Sequence, residues 1–521
     1  MFKRKRKKTN FGMLKEDKFN FEHIKKYFEN NDKSNYFFVF DNRLCNDIDF
    51  NELFSFLDRT VSKVGQQYLY SKLRTVKYPN NNHSEEKIID LLSSDENMRN
   101  SLHDILSQLN NQNSYYISSL ISEAKIQPPK FFFLIKLLSL ASFAFTISAF
   151  FIPSILIVLI PVMLVNLGFH YWNKRNIMFY VSSLPELLKL GNVAKKIANL
   201  KQLNNYLSNI KKDIQKINAL KKKLFYFKLE NKINSEFESF FWGIFEFLKI
   251  LFLIEPIVFY NVLDDLKRNK NEIHNVFKFV GKIDSLYSIA NVRYTSEYCI
   301  PKIIDYEQHI EFNDIYHPLI LDCTNNNLKL KNKSILLTGS NMSGKTTFIR
   351  TIAVNLITSY TINTAFATNF LVPIAKLYSV IRINDDLLNN KSYYFEEVIT
   401  IKKMLDYSKS NYVNIFLLDE LFKGTNTIER VSAGRAVLNE LAKNNIVFVS
   451  THDIELADML KENYDLYHFT EIVKNDKVDF DYKLRSGIVK EGNAIKILLL
   501  NNYPQSVIQE AIKTSEAYCK K

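Results

Sequence analysis

Eight consecutive residues, Gly339-Ser340-Asn341-Met342-Ser343-Gly344-Lys345-Thr346, carry the clearest chemistry in this 521-residue chain. They fit G-x-x-x-x-G-K-[ST], a spacing that turns backbone N–H groups inward around phosphate oxygens. The glycines permit the turn and Lys345 adds a point charge. Thr346 and Thr347 then open a helix whose N-terminus favours anions. Further along, the apolar run 415–418 ends in Asp419 and Glu420. A magnesium-dependent nucleoside triphosphatase needs such a pair: Asp419 would hold the Mg2+ shell together with Thr346, and Glu420 would orient or deprotonate the attacking water. A third apolar run, Ile446–Ser450, leads into Thr451-His452-Asp453. The end of a strand in an α/β sheet is where ligands bind, so His452 could contact the γ-phosphate.

These residues need an α/β framework. The strand-like run Ser334–Thr338 precedes the glycine loop, and a helical pattern over 348–356 follows it, which is the context the motif requires. The stretch from Asn390 to Glu397 reads, by itself, as a well-capped helix start. Upstream, 51–75, 182–240 and 273–290 repeat apolar residues at three- and four-residue spacing. That is the pattern of amphipathic helices packed on one another.

Between these helical arms, 131–172 holds one charged residue, Lys136. About 20 apolar residues span a bilayer core, so the stretch is long enough for two spans. Phe151-Ile152-Pro153-Ser154 marks the break, giving spans near 131–150 and 154–172. Lys125 and Lys130 flank one end and Lys174 and Arg175 the other, which places both ends in the cytoplasm. The alternative for this stretch is a helical hairpin buried inside a soluble domain. A second apolar stretch, 240–263, carries Glu246, Lys249 and Glu255. Three charges within one span are costly, so it reads as soluble core or an interfacial helix.

The net charge of +14 invites an anionic partner, but Lys is spread along the chain and no basic stripe stands out. Cys45, Cys299, Cys323 and Cys519 are far apart and form no C-x-x-C pair, which argues against a zinc site or a disulfide framework and suits a reducing compartment. The basic start MFKRKRKK leads into no apolar run and does not read as a secretory signal.

Taken in order, these motifs resemble the MutS family of ABC-type ATPases. TGSNMSGKTTFIR is similar to that family's phosphate loop, LLDELFKGTNT to its magnesium-binding strand, and STHD to its switch histidine. Tyr316-His317-Pro318 resembles the turn entering its ATPase domain, and SYYFEEV the segment carrying its signature serine. The resemblance implies ATP and Mg2+ as cofactors, and Ser392 acting in trans on the nucleotide of a partner. It therefore implies a homodimer with two composite sites. It also implies double-stranded DNA as a partner. The tail from Tyr482 to Ile512 resembles the family's C-terminal dimerisation segment, and the surroundings of Leu53 to Gly65 the start of its helical core.

There are departures. Asn390-Lys391 stands where the family has a glycine before the signature serine, and no Phe-x-Glu wedge occurs in the first 45 residues. The expectation is a variant without the N-terminal mismatch-reading domain and without an appended nuclease module.

The expected fold is thus an α/β P-loop (ABC-type) ATPase domain preceded by a mostly α-helical core that a transmembrane hairpin interrupts. The expected divisions are a basic segment 1–45, core 46–128, hairpin 131–172, arms and core 173–305, and ATPase domain 306–521. Residues 131–172 would anchor it to the cytoplasmic membrane with the ATPase domain in the cytoplasm. The competing reading is an ABC-type membrane ATPase coupled to a process that does not involve DNA.

Overall fold

The computed structural model describes residues 11–16, 18–78, 83–122, 129–206, 210–219, 236–305, 307–340, 342–382, 393–474, 477–488, 498 and 503–519. The chain forms two compact units. One comprises Met1–Ser34, Leu57–Lys72 and Asn81–Tyr294; the other comprises Asn35–Phe56, Leu73–Asn80 and Thr295–Lys521.

The secondary structure of the first unit is all helical among its described residues. Its central helix, Lys270–Thr295, is buried over most of its length. Asp284 on this helix is fully buried and accepts hydrogen bonds from the backbone N–H groups of Val61 (2.9 Å) and Ser62 (2.8 Å). Burial raises the Asp284 carboxyl to about 6 despite these donors.

The apolar stretch forms a helix at Phe132–Phe151, a 3-10 turn at Pro153–Ile155, and a second helix at Leu156–Ala198. The turn falls where the sequence places it, but the second helix does not stop near 172. It runs on because its pattern changes without a break: Leu184, Leu187, Val193, Ala194 and Ile197 are buried at helical spacing, so an apolar rod becomes an amphipathic arm. The most apolar 18 residues of each helical stretch, 132–151 and 153–173, are only 11% buried. The hairpin is therefore not the buried core of this unit. The stretch 240–263 is divided between the helices Glu236–Leu251 and Ile254–Arg268.

The second unit contains all fourteen strands among the described residues: β1 (Phe38–Val39), β2 (Thr75–Val76), β3 (Lys302–Ile304), β4 (His309–Ile315), β5 (Asn326–Lys331), β6 (Ser334–Thr338), β7 (Asn369–Pro373), β8 (Lys376–Val380), β9 (Asn414–Asp419), β10 (Ile446–Ser450), β11 (Tyr464–His468), β12 (Glu471–Lys474), β13 (Lys477–Phe480) and β14 (Arg485–Ser486). Its main sheet has the order β14-β11-β6-β10-β9-β8, parallel except for β14 at the edge. β6 and β10 are buried at every position and β9 at all but its last, as expected of strands covered on both faces. The core includes Leu336, Phe416, Leu418, Val447 and Val449 with Leu438 and Leu441 of the helix Thr427–Ala442. A second sheet, β3-β7-β4-β5, is one-sided, and β5 alternates buried and exposed residues.

The compact units divide the chain differently from the sequence-based scheme. Asn35–Phe56 and Leu73–Asn80 belong with the C-terminal residues, because Asp47 accepts hydrogen bonds from Ser379 Oγ (2.6 Å) and from the N–H groups of Ile381 and Arg382 just beyond β8. Asp49 forms ion pairs with Arg350 and Arg382.

Candidate functional site

β6 lies between β10 and β11, so the chain order reverses across it. Such a switch point opens a crevice at the carboxyl ends of the strands. Into it β6 delivers Gly339, β9 delivers Asp419 and Glu420, and β10 delivers Thr451 and His452.

The glycine loop needs its glycines for two separate reasons. Gly339 has φ +139°, and a Cβ there would lie 2.4 Å from the carbonyl oxygen of Phe469. Gly344 has φ +106° and precedes the first residue of the helix Lys345–Ile362. Ser343 Oγ donates to the Ser340 carbonyl (2.8 Å), and Ser340 Oγ donates to Glu471 (2.8 Å). Lys345 folds back over the loop, with Nζ donating to the Gly339 and Ser340 carbonyls, each at 2.9 Å. Burial holds its ammonium below the ordinary lysine value, against the opposing pull of Glu420 and Asp419.

Strand register brings the acids to the loop. Ser450 pairs with Asp419 on one side and with Leu337 on the other. One Asp419 oxygen accepts from Thr346 Oγ1 at 2.8 Å and the other from Ser450 Oγ. Glu420 follows in a left-handed backbone conformation, φ 52°, with its N–H bonded to the Ser450 carbonyl. For a residue with a side chain this geometry costs on the order of 1 kcal/mol and persists only where the surroundings fix it. Its carboxylate meets His452 Nε2 at 2.9 Å and Lys423 Nζ at 3.0 Å. Burial alone would raise the Glu420 carboxyl, but Lys423, His452 and Lys345 outweigh it and hold the group below its ordinary value.

A cavity of 440 Å³ opens over the loop, with Asp322, Asn326, Phe469 and Tyr482 among the residues facing it. The volume suits a small-molecule ligand. Asn326 fixes the far wall by donating to the Tyr482 carbonyl (3.1 Å) and accepting from the Leu484 N–H (2.7 Å).

Of the residues singled out from sequence, Ser340, Met342, Ser343, Gly344, Lys345, Thr346, Thr347 and Glu420 line this cavity. Gly339, Asp419 and His452 are in direct contact with them. Asn341 and Ser392 lie outside the described residues. His317 of the Tyr-His-Pro turn is buried; burial, reinforced by Arg350, lowers its pKa to about 4, so it is neutral at physiological pH.

Residues 335–518 match the family model of MutS domain V. Through this C-terminal region the chain is similar to the MutS family. Among its relatives are three proteins called DNA mismatch repair protein MutS. That of Thermotoga petrophila is 27% identical over 50% of this chain and 34% of the relative. Those of Fusobacterium nucleatum and Staphylococcus aureus are 26% and 25% identical over 50% of this chain and 30% and 31% of theirs. The chain thus spans about a third of the length of the MutS relatives it matches.

Several residues of this site are not apparent from sequence motifs. Ser450 meets Asp419 through strand pairing, and Glu471 meets Ser340 of the loop only in the folded chain. Lys423 carries a weak local signal, three residues after Glu420. Glu397 is buried and its Oε1 accepts the Phe422 N–H at 2.6 Å, supporting the segment just after Glu420. Its neighbouring apolar run gives it no distinguishing spacing, and burial raises its carboxyl despite that bond.

Proposed function

We propose that this chain is a membrane-anchored, dimeric MutS-like ATPase that hydrolyses ATP with Mg2+ and acts on double-stranded DNA. The observation that carries the catalytic part is the 2.8 Å contact between Thr346 and Asp419 beneath the glycine loop. A hydroxyl and a carboxylate are hard oxygen donors, and so few protein ligands suit Mg2+, which takes its remaining positions from phosphate and water. The residues present therefore fit a magnesium nucleotide. Bound there, the metal would supply positive charge to the phosphate oxygens.

The rest of the work falls to side chains. Lys345 would leave the Gly339 and Ser340 carbonyls for phosphate oxygens, and Ser450 would keep Asp419 oriented. Glu420, fixed by its backbone and by His452, would orient the attacking water, with His452 near the departing phosphate. The family resemblance supports Ser392 reaching the partner's nucleotide, and with it a homodimer. Double-stranded DNA is proposed because the relatives are named as DNA mismatch repair proteins. Matches to MutS favour this over a transport ATPase.

Membrane anchoring through 131–172 is supported by outward apolar residues such as Phe133, Leu140, Phe143, Phe150, Ile157 and Leu164. They point in several directions around two helices, each long enough to cross the hydrocarbon layer. Lysines at both flanks favour a cytoplasmic ATPase domain at the cytoplasmic membrane.

Glu420→Gln keeps the side-chain shape and removes the base. Turnover should fall about 100-fold or more while ATP binding persists; undiminished turnover refutes the role of Glu420. For DNA, the detergent-solubilised protein is titrated with matched and mismatched duplexes between about 50 and 200 mM salt, where phosphate contacts weaken steeply. No binding at the low-salt end removes DNA from the proposal.

A further inference from the structure

The stretch 240–263 looks too charged to enter a membrane, yet its fold answers that objection. The helices Glu236–Leu251 and Ile254–Arg268 meet at Phe252-Leu253, where Leu253 adopts φ 49°. A helix break leaves carbonyls without intrahelical donors, which hydrocarbon does not tolerate unless protein supplies partners. Here the hairpin supplies them. Asn166 Nδ2 donates to the Leu251 carbonyl and Ser139 Oγ to the Phe252 carbonyl, each at 2.7 Å. Asn166 Nδ2 also donates to Ser142 Oγ at 2.8 Å, and Asn166 and Ser142 are both fully buried.

These contacts set a depth. Ser139 lies two turns beyond Phe132, and Asn166 two turns before Asn173, so the break sits about 10 Å from the open end of the hairpin at 1.5 Å per residue. A second marker agrees. Tyr260, two turns beyond the break, donates to Asn173 Oδ1 at 3.1 Å and packs its ring on Phe132, at the base itself.

The charges turn inward. Lys249 is buried and pairs with Glu246 at 2.5 Å, the other oxygen of which is 3.8 Å from His170 Nε2; Glu255 is also buried. The outward side chains are Ile244, Phe247 and Leu248, apolar like those of the adjoining spans. Two of the three charges that argue against membrane entry, Lys249 and Glu255, therefore face protein, and the third, Glu246, with a quarter of its side chain exposed, is paired with Lys249.

We propose that 236–268 is a re-entrant helical hairpin, its tip at Phe252-Leu253 inserted about 10 Å past the base of the two spans, and that lipid acyl chains cover its outer face. The proposal rests on the membrane reading of 131–172. Lipid rather than a partner protein is the occupant because exposed Ile244, Phe247 and Leu248 continue the exposed apolar surface of the adjoining spans, whose one Lys, Asp, Glu or Arg, Lys136, lies one turn from the base.

The test is tryptophan quenching by phosphatidylcholine brominated along its acyl chains. The full chain, with Trp172 and Trp242 changed to Phe, receives one tryptophan at a time: F247W on the re-entrant face, F150W at the hairpin tip, or F395W in the other unit. Each is reconstituted in vesicles with and without bromine. The expected result is loss of emission for F247W as well as F150W, with F395W unaffected. Quenching of F150W alone overturns the re-entrant segment and leaves the anchor standing. Quenching of neither overturns the anchor, and the re-entrant segment with it.

Discussion

Gly339→Ala tests whether the glycine loop is the nucleotide cradle. The backbone there has φ +139°, so a methyl group brings strain of about 1–2 kcal/mol. More decisively, it would sit 2.4 Å from the Phe469 carbonyl oxygen and 3.0 Å from Ser343 Oγ. Phe469 cannot retreat freely, because its own N–H bonds to the Thr338 carbonyl at 3.1 Å. Losing that bond costs about 1 kcal/mol more. The total approaches about 3 kcal/mol, which as a displacement of the loop corresponds to a loss of roughly 100-fold in nucleotide affinity. Gly487→Ala is the matched control: φ is +91°, so strain is present, but no atom lies within 4 Å of the added Cβ. Titration calorimetry with ATP and Mg2+ should find Gly339→Ala severely weakened and Gly487→Ala close to the parent. If Gly339→Ala binds ATP within about threefold of the parent, a change worth under 1 kcal/mol, the loop does not hold the nucleotide in the inferred way.

Ser450→Ala removes one of the two hydroxyls that orient Asp419 and should raise the Mg2+ concentration for half-maximal turnover about fivefold, equivalent to about 1 kcal/mol; an unchanged Mg2+ titration counts against that orienting role. In the helical unit, Glu85 lies 2.8 Å from both Lys72 and Lys282. Burial would raise its carboxyl, but the two lysines lower it from 4.5 to about 2. The folded state thus holds fewer protons than the unfolded chain between these values. The stabilisation is fully present above pH 4.5 and is lost as pH falls towards 2. Glu85→Gln should cost about 2–3 kcal/mol at neutral pH and flatten the acid limb of an unfolding titration. A parallel acid limb in parent and variant would refute the pairing.

Much of the site is legible along the chain because its pieces are local. The strand Ser334–Thr338 occurs as read, and the following helix is longer than the pattern over 348–356, running from Lys345 to Ile362. It extends because every residue of 348–362 except Arg350 is buried, and tertiary packing continues where apolar periodicity is ambiguous. The turn at Pro153 was equally plain, since proline and the apolar runs beside it are local facts. Ser450, Glu471 and Glu397 gave no such signal, because their significance depends on which strand or loop lies next to them.

The sequence by itself determined a phosphate-type loop, two acids closing an apolar strand and a long uncharged hairpin, since spacing and composition are properties of adjacent residues. Only the tertiary structure decided that Thr346 and Asp419, 73 residues apart, share a hydrogen bond. It also decided that Asn35–Phe56 packs with the C-terminal residues and that Asn166 finds the Leu251 carbonyl inside the helical unit. Strand order and burial arise from non-local pairing, where backbone groups and charges removed from water take the partner that the rest of the chain brings to them.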